Sequence, residues 1–100
     1  MAFDMYCGNK REKIDHHEES IFTYVNDSDV LPELKKLWES FYDGPIIYPE
    51  NSNRIVHELI LLRSMLGPTG NKIHMKLIDR LLLLFSHSYS SGEPVKCVSD

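Results

Sequence analysis

The chain has 100 residues, 42% of them hydrophobic and 26% charged, the balance of one ordinary globular domain rather than of a disordered segment or a disulfide-built miniprotein. Fifteen acids against eleven bases leave a net charge of −4, which disfavours nucleic acid or an anionic membrane as the main partner. The start, Met1 to Lys10, has an acid where a secretory leader would be apolar, and the longest apolar run, Leu81 to Phe85, is far too short to cross a membrane. A cytoplasmic location is expected, with Cys7 and Cys97 as reduced thiols.

Residues 1–13 offer only Phe3, Met5 and Tyr6 as apolar anchors before the charged run Lys10-Arg11-Glu12-Lys13, and read as an arm that is either loose or docked late. Asp15 and Glu18 have capping-box spacing, and Ile14, Ile21 and Val25 follow as one helical stripe, which predicts a helix over 16–26. The cluster Asn26-Asp27-Ser28-Asp29 and then Pro32 begin a second helix. Its stripe is Leu31, Leu34, Trp38 and Phe41, and Gly44-Pro45 ends it.

Pro45 to Asn53 holds Ile46, Ile47 and Tyr48 between two prolines, too short and proline-bound for a central strand, so a loop with buried anchors is expected. Ser52 is the expected cap of a third helix over 53–66, closed by Gly67-Pro68. The short connection to a fourth helix over 71–86 implies an antiparallel hairpin, and Leu81 to Phe85 make that last helix apolar nearly all round. Residues 87–100, rich in serine, read as a second tail. The expected fold is all-α: a single helical domain over residues 1–100, built as a bundle of about four helices with the two termini outside it.

No catalytic constellation stands out. Cys7 lies in the arm, no Gly-x-Ser-x-Gly or phosphate-cradling glycine loop occurs, and the chain is not expected to be an enzyme or to hold a cofactor. Adjacent His16 and His17 would point about 100° apart on a helix and cannot share one ion unaided, so no metal site is expected. Lys72, Lys76 and Arg80 form a row of cations on the fourth helix, which reads as a solvated face.

Charge is unevenly placed. Residues 1–50 carry 11 acids and 5 bases, whereas residues 51–100 carry 4 acids and 6 bases. Acids and aromatics alternate through the first two helices, and aromatic anchors rimmed by charge are what tight protein interfaces use. The residues expected to bind a partner are Glu18, Glu19, Asp27, Asp29, Glu39 and Asp43, with Tyr24, Trp38 and Tyr42 as anchors. Trp38 also shares the core stripe, which argues for a partly buried ring.

In size, acidity and lack of a chemical motif the chain resembles the small bacterial immunity proteins that neutralise a toxin, often a nuclease. The resemblance implies a non-enzymatic protein-binding module whose acids screen the cationic surface of a toxin domain. His57 gives a second reading. It resembles the acceptor of histidine phosphotransfer domains in its His-x-Leu start and in Arg54 three residues before it, but Ile60 and Leu61 stand where that family has lysine and glycine. A small adaptor or chaperone is the further alternative.

Overall fold

The arm expected to be loose or docked late supplies an inner and an edge strand of a β-sheet in the computed structural model, which describes residues 3–67 and 70–99. β1 (Phe3–Cys7) and β2 (Lys10–Ile14) form a hairpin whose two-residue turn begins at Gly8, at φ +57°. Its Phe3, Met5 and Cys7 are fully buried while Asp4 and Tyr6 face away, the period of two that a half-buried strand imposes. The left-handed backbone angle favours glycine there, and the Glu93 carboxylate, at the end of a flexible exposed side chain, packs against the space a Cβ would take.

The other expected tail completes the sheet. β4 (Val95–Ser99) pairs antiparallel with β1, placing Met5 opposite Cys97 and Tyr6 opposite Lys96. The two-residue β3 (Ile46–Ile47) pairs with β4, giving the order β2-β1-β4-β3. The all-α, helical-bundle reading is therefore wrong: the protein is α+β, with helices on one face of a four-stranded antiparallel sheet. Periodicity hid this because each strand spans five residues or fewer and β2 is an edge strand of mostly charged side chains.

The first helix is shorter than expected. Residues His16–Glu18 make a single tight turn, and α1 covers only Ile21–Asn26. α2 (Pro32–Ser40) takes Pro32 in its first turn, and a short turn at Phe41–Asp43 leads to Gly44 in the left-handed region. No side chain of its own caps α2. The Glu58 carboxylate of α3 does so instead, accepting the amide protons of Glu33 at 3.0 Å and Leu34 at 2.9 Å.

α3 (Pro49–Leu66) and α4 (Lys72–Ser91) form the expected antiparallel hairpin, but each is longer than its periodic stripe. Pro49 opens α3 from the first turn, so Ser52 is inside the helix rather than its cap. Ser52 is buried and donates to the Ser88 hydroxyl at 2.9 Å, and Ser88 donates to the Glu93 carbonyl at 2.6 Å. Ser88, placed by sequence in a tail, is thus a core residue, and α4 ends only at Gly92, with φ +76°.

One core lies between the helices and the sheet. Phe3, Met5, Ile14, Val95 and Cys97 from the strands meet Leu34, Leu37, Phe41, Ile55, Leu59, Leu77, Leu81 and Phe85 from the helices. Cys7 and Cys97 are both free thiols within it. Among the described residues no helix is long and apolar enough to cross a membrane.

Candidate functional site

α1 is a one-sided helix. Ile21, Phe22 and Val25 are buried, which leaves Tyr24 on the far side with 48% of its surface exposed. Its ring meets the His74 imidazole edge-on, with centroids 5.9 Å apart. A cavity of about 260 Å³ opens beside it, lined by Tyr24, Leu62, Met65, Leu66, Gly70 and Asn71. Met65 is half exposed at this cavity, and Leu61, one turn back on α3, is exposed as well. The turn leaving α1 then carries Asp27 and Asp29, both exposed. Neither makes an ion pair among the described residues. A cleft lined by Leu62, Met65 and Leu66 can seat an apolar side chain of a partner, while free carboxylates on the same helix exit attract its cations.

The nine residues expected to bind do not make one surface. Glu39, Tyr42 and Asp43 are exposed at the C-terminal end of α2, and the Tyr42 ring meets Phe3 edge-on at 5.3 Å. Asp27 and Asp29 precede the opposite end of that helix, and its nine residues separate the two groups by about 13 Å at the usual rise. Trp38 belongs mainly to the core: it is half-buried, stacked on Phe22 at 4.1 Å and 9°, and edge-on to Phe3 at 5.2 Å.

Glu18 and Glu19 are not free acids. Glu18 is buried, bonded to the Arg80 guanidinium of α4 and accepting the Asp15 amide proton at 2.9 Å. Glu19 is mostly covered and lies 2.8 Å from His16 Nδ1. The cation row on α4 is broken by the same contact, since Arg80 turns inward while Lys72 and Lys76 stay exposed. Removing Arg80 would strand the buried Glu18 carboxylate, whereas Arg80 without Glu18 keeps solvent and Glu12, 3.9 Å away.

Asp15, His17 and Glu18 bring three potential ligand atoms within 4.8 Å of one another. Glu18 is already committed to a guanidinium, whose charge repels a metal ion, so the group does not form a site. Ser20 and His74 also approach as hydroxyl and imidazole, 2.8 Å apart at Nε2. His74 Nδ1 is buried and has no hydrogen-bond partner among the described residues. The contact ties α1 to α4.

His57 is exposed on α3, and Ile60 and Leu61, which stand where the phosphotransfer family has lysine and glycine, are exposed beside it. Histidine phosphotransfer domains are four-helix bundles, whereas the described residues of this chain form helices on a four-stranded sheet. Sequence reasoning missed the Tyr24 cavity because Leu62, Met65 and Leu66 read as part of the α3 core stripe; only Leu62 is fully buried. No protein-family model matches the chain, and neither the curated proteins nor the solved structures yield a match.

Proposed function

We propose that the protein is a non-enzymatic, cofactor-free binding module that captures a positively charged protein, in the manner of an immunity protein holding a toxin domain. The observation that supports this reading is the Tyr24 cavity, with the exposed, unpaired Asp27 and Asp29 three and five residues after Tyr24 in the chain. The cavity receives an apolar side chain, Tyr24 and Met65 supply contact area, and the two carboxylates speed and orient the encounter. Glu39, Tyr42 and Asp43 form a second, outlying acidic group, and Glu18, Glu19 and Trp38 serve the fold. The cytoplasm, where the two core thiols stay reduced, is the compartment that fits this role.

The test pairs the protein with the product of the adjacent gene. A photo-crosslinking residue at position 24 should trap that product, and Asp27→Lys with Asp29→Lys should slow association while the fold is retained. Unchanged association in the charge-reversed protein, or crosslinking only from position 42, would sink the Tyr24 site.

A further inference from the structure

The sheet is covered by helices on one face only. On the open face two cross-strand rows are fixed by register: Arg11, Tyr6, Lys96 and Ile46 in one, and Lys13, Asp4 and Val98 in the other. Tyr6, Ile46 and Val98 keep 37%, 46% and 48% of their surfaces exposed. A concavity of about 380 Å³ at the end of this face is lined by Tyr6, Gly8, Glu93, Pro94 and Lys96. In a chain of net charge −4, the face itself presents Arg11, Lys13 and Lys96 against Asp4, with Glu93 at its margin.

The cations differ in how free they are. Arg11 lies 3.4 Å from the tucked-under Asp4, with its guanidinium 5.5 Å from the Tyr6 ring centre, and Lys13 lies 3.4 Å from Asp15. Lys96 makes no ion pair among the described residues, although it stands between Tyr6 and Ile46 across the sheet. An exposed ammonium set between two apolar side chains suits a carboxylate that arrives with apolar neighbours.

We propose that the open sheet face is a second docking surface, opposite in sign to the Tyr24 site, and that its occupant is an acidic polypeptide segment carrying apolar side chains. A carboxylate of that segment pairs with Lys96, and its apolar side chains lie on Tyr6, Ile46 and Val98. Charge complementarity selects this occupant over the others. A second copy stacked face to face would set one net-cationic face against another, which is electrostatically unfavourable. Single-stranded nucleic acid needs open aromatic faces and several free cations, whereas Arg11 covers Tyr6 and two of the three cations are already paired. With two surfaces of opposite sign, the protein can bridge a basic and an acidic partner.

The experiment titrates a fluorescently labelled peptide of alternating glutamate and leucine into the full protein at low ionic strength, read by anisotropy and by amide chemical shifts. Saturable binding is expected, with shifts on β1, β3 and β4, and Lys96→Glu should weaken it by about tenfold or more. Lys96→Gln, which removes the charge with little change of shape, should weaken it measurably if Lys96→Glu fails to fold. Asp27→Lys should not weaken it, which separates this face from the Tyr24 site. The proposal is overturned by absence of saturable binding, by equal affinity in the folded Lys96 variant, by shifts confined to the helices, or by a short oligothymidylate binding more tightly than the peptide.

Discussion

Glu58 on α3 caps α2 across 24 residues of chain, with a carboxylate oxygen 2.9 Å from the Leu34 amide and the other 3.0 Å from that of Glu33. The residue preceding α2 is Leu31, whose side chain has no acceptor, so the helix start depends on this single tertiary contact. Glu58→Ala should cost about 1 to 2 kcal/mol, the range of a lost N-cap with a charge-assisted bond. Chemical denaturation of the two proteins measures it; an unchanged midpoint would show that water replaces the carboxylate without loss.

The second expectation concerns Ser52 and Ser88, buried where apolar side chains would be usual. Ser88→Ala leaves the Ser52 hydroxyl and the Glu93 carbonyl each short of a bond, and should cost about 1 to 3 kcal/mol. Changing both serines to alanine removes the stranded Ser52 hydroxyl as well, leaving only the Glu93 carbonyl, which keeps the Cys7 thiol at 3.6 Å. The double variant should therefore lose less than the two single variants combined, as a double-mutant cycle would record. Simple additivity would mean the two hydroxyls do not act through each other.

Cys97 supplies a pH test. Burial pushes its thiol from an ordinary value of 9.0 up to about 12, and burial followed by the Glu93 charge raises that of Cys7. In the unfolded chain the Cys97 thiol ionises first. Its contribution to stability is thus complete below pH 9.0 and falls away as pH rises toward about 12. Cys97→Ala should flatten the alkaline decline relative to the parent protein in denaturation at successive pH values. Both thiols should also react slowly with a thiol reagent until the protein is unfolded; rapid labelling of the native protein would contradict their burial.

Trp38 is the lone tryptophan and reports directly on the Phe22 stack. Its emission should be blue-shifted in the free protein, and Trp38→Ala should destabilise the fold by about 3 kcal/mol or more. A cycle with Phe22→Leu should reveal a coupling of about 0.5 to 1.5 kcal/mol for the aromatic pair. Emission like that of free indole would refute the stacked, half-buried placement.

The helical half of the molecule was legible in the sequence, because amphipathic repeats at three and four residues, Pro32 and Gly44 are local signals that a helix satisfies within itself. The hairpin of α3 and α4 and the turn at Gly67 followed from the same logic. Even the Asp15–Glu18 pair announced a real capping contact, though only of one short turn, since Glu18 is drawn into the core by Arg80 from 62 residues away.

The sheet was decided by tertiary structure. β1 carries a fair alternation of Phe3, Met5 and Cys7, but five residues cannot bury themselves, and the strand exists because Lys96, Cys97 and Val98 return from the far end of the chain to pair with it. Ser52 and Ser88 look like a cap and a tail until each supplies the other's hydrogen bond. The acidic character of the first half was visible as composition, yet which acids stay free was not. Glu18 and Asp27 are equivalent in one dimension; only the fold buries the first against a guanidinium and leaves the second in solvent.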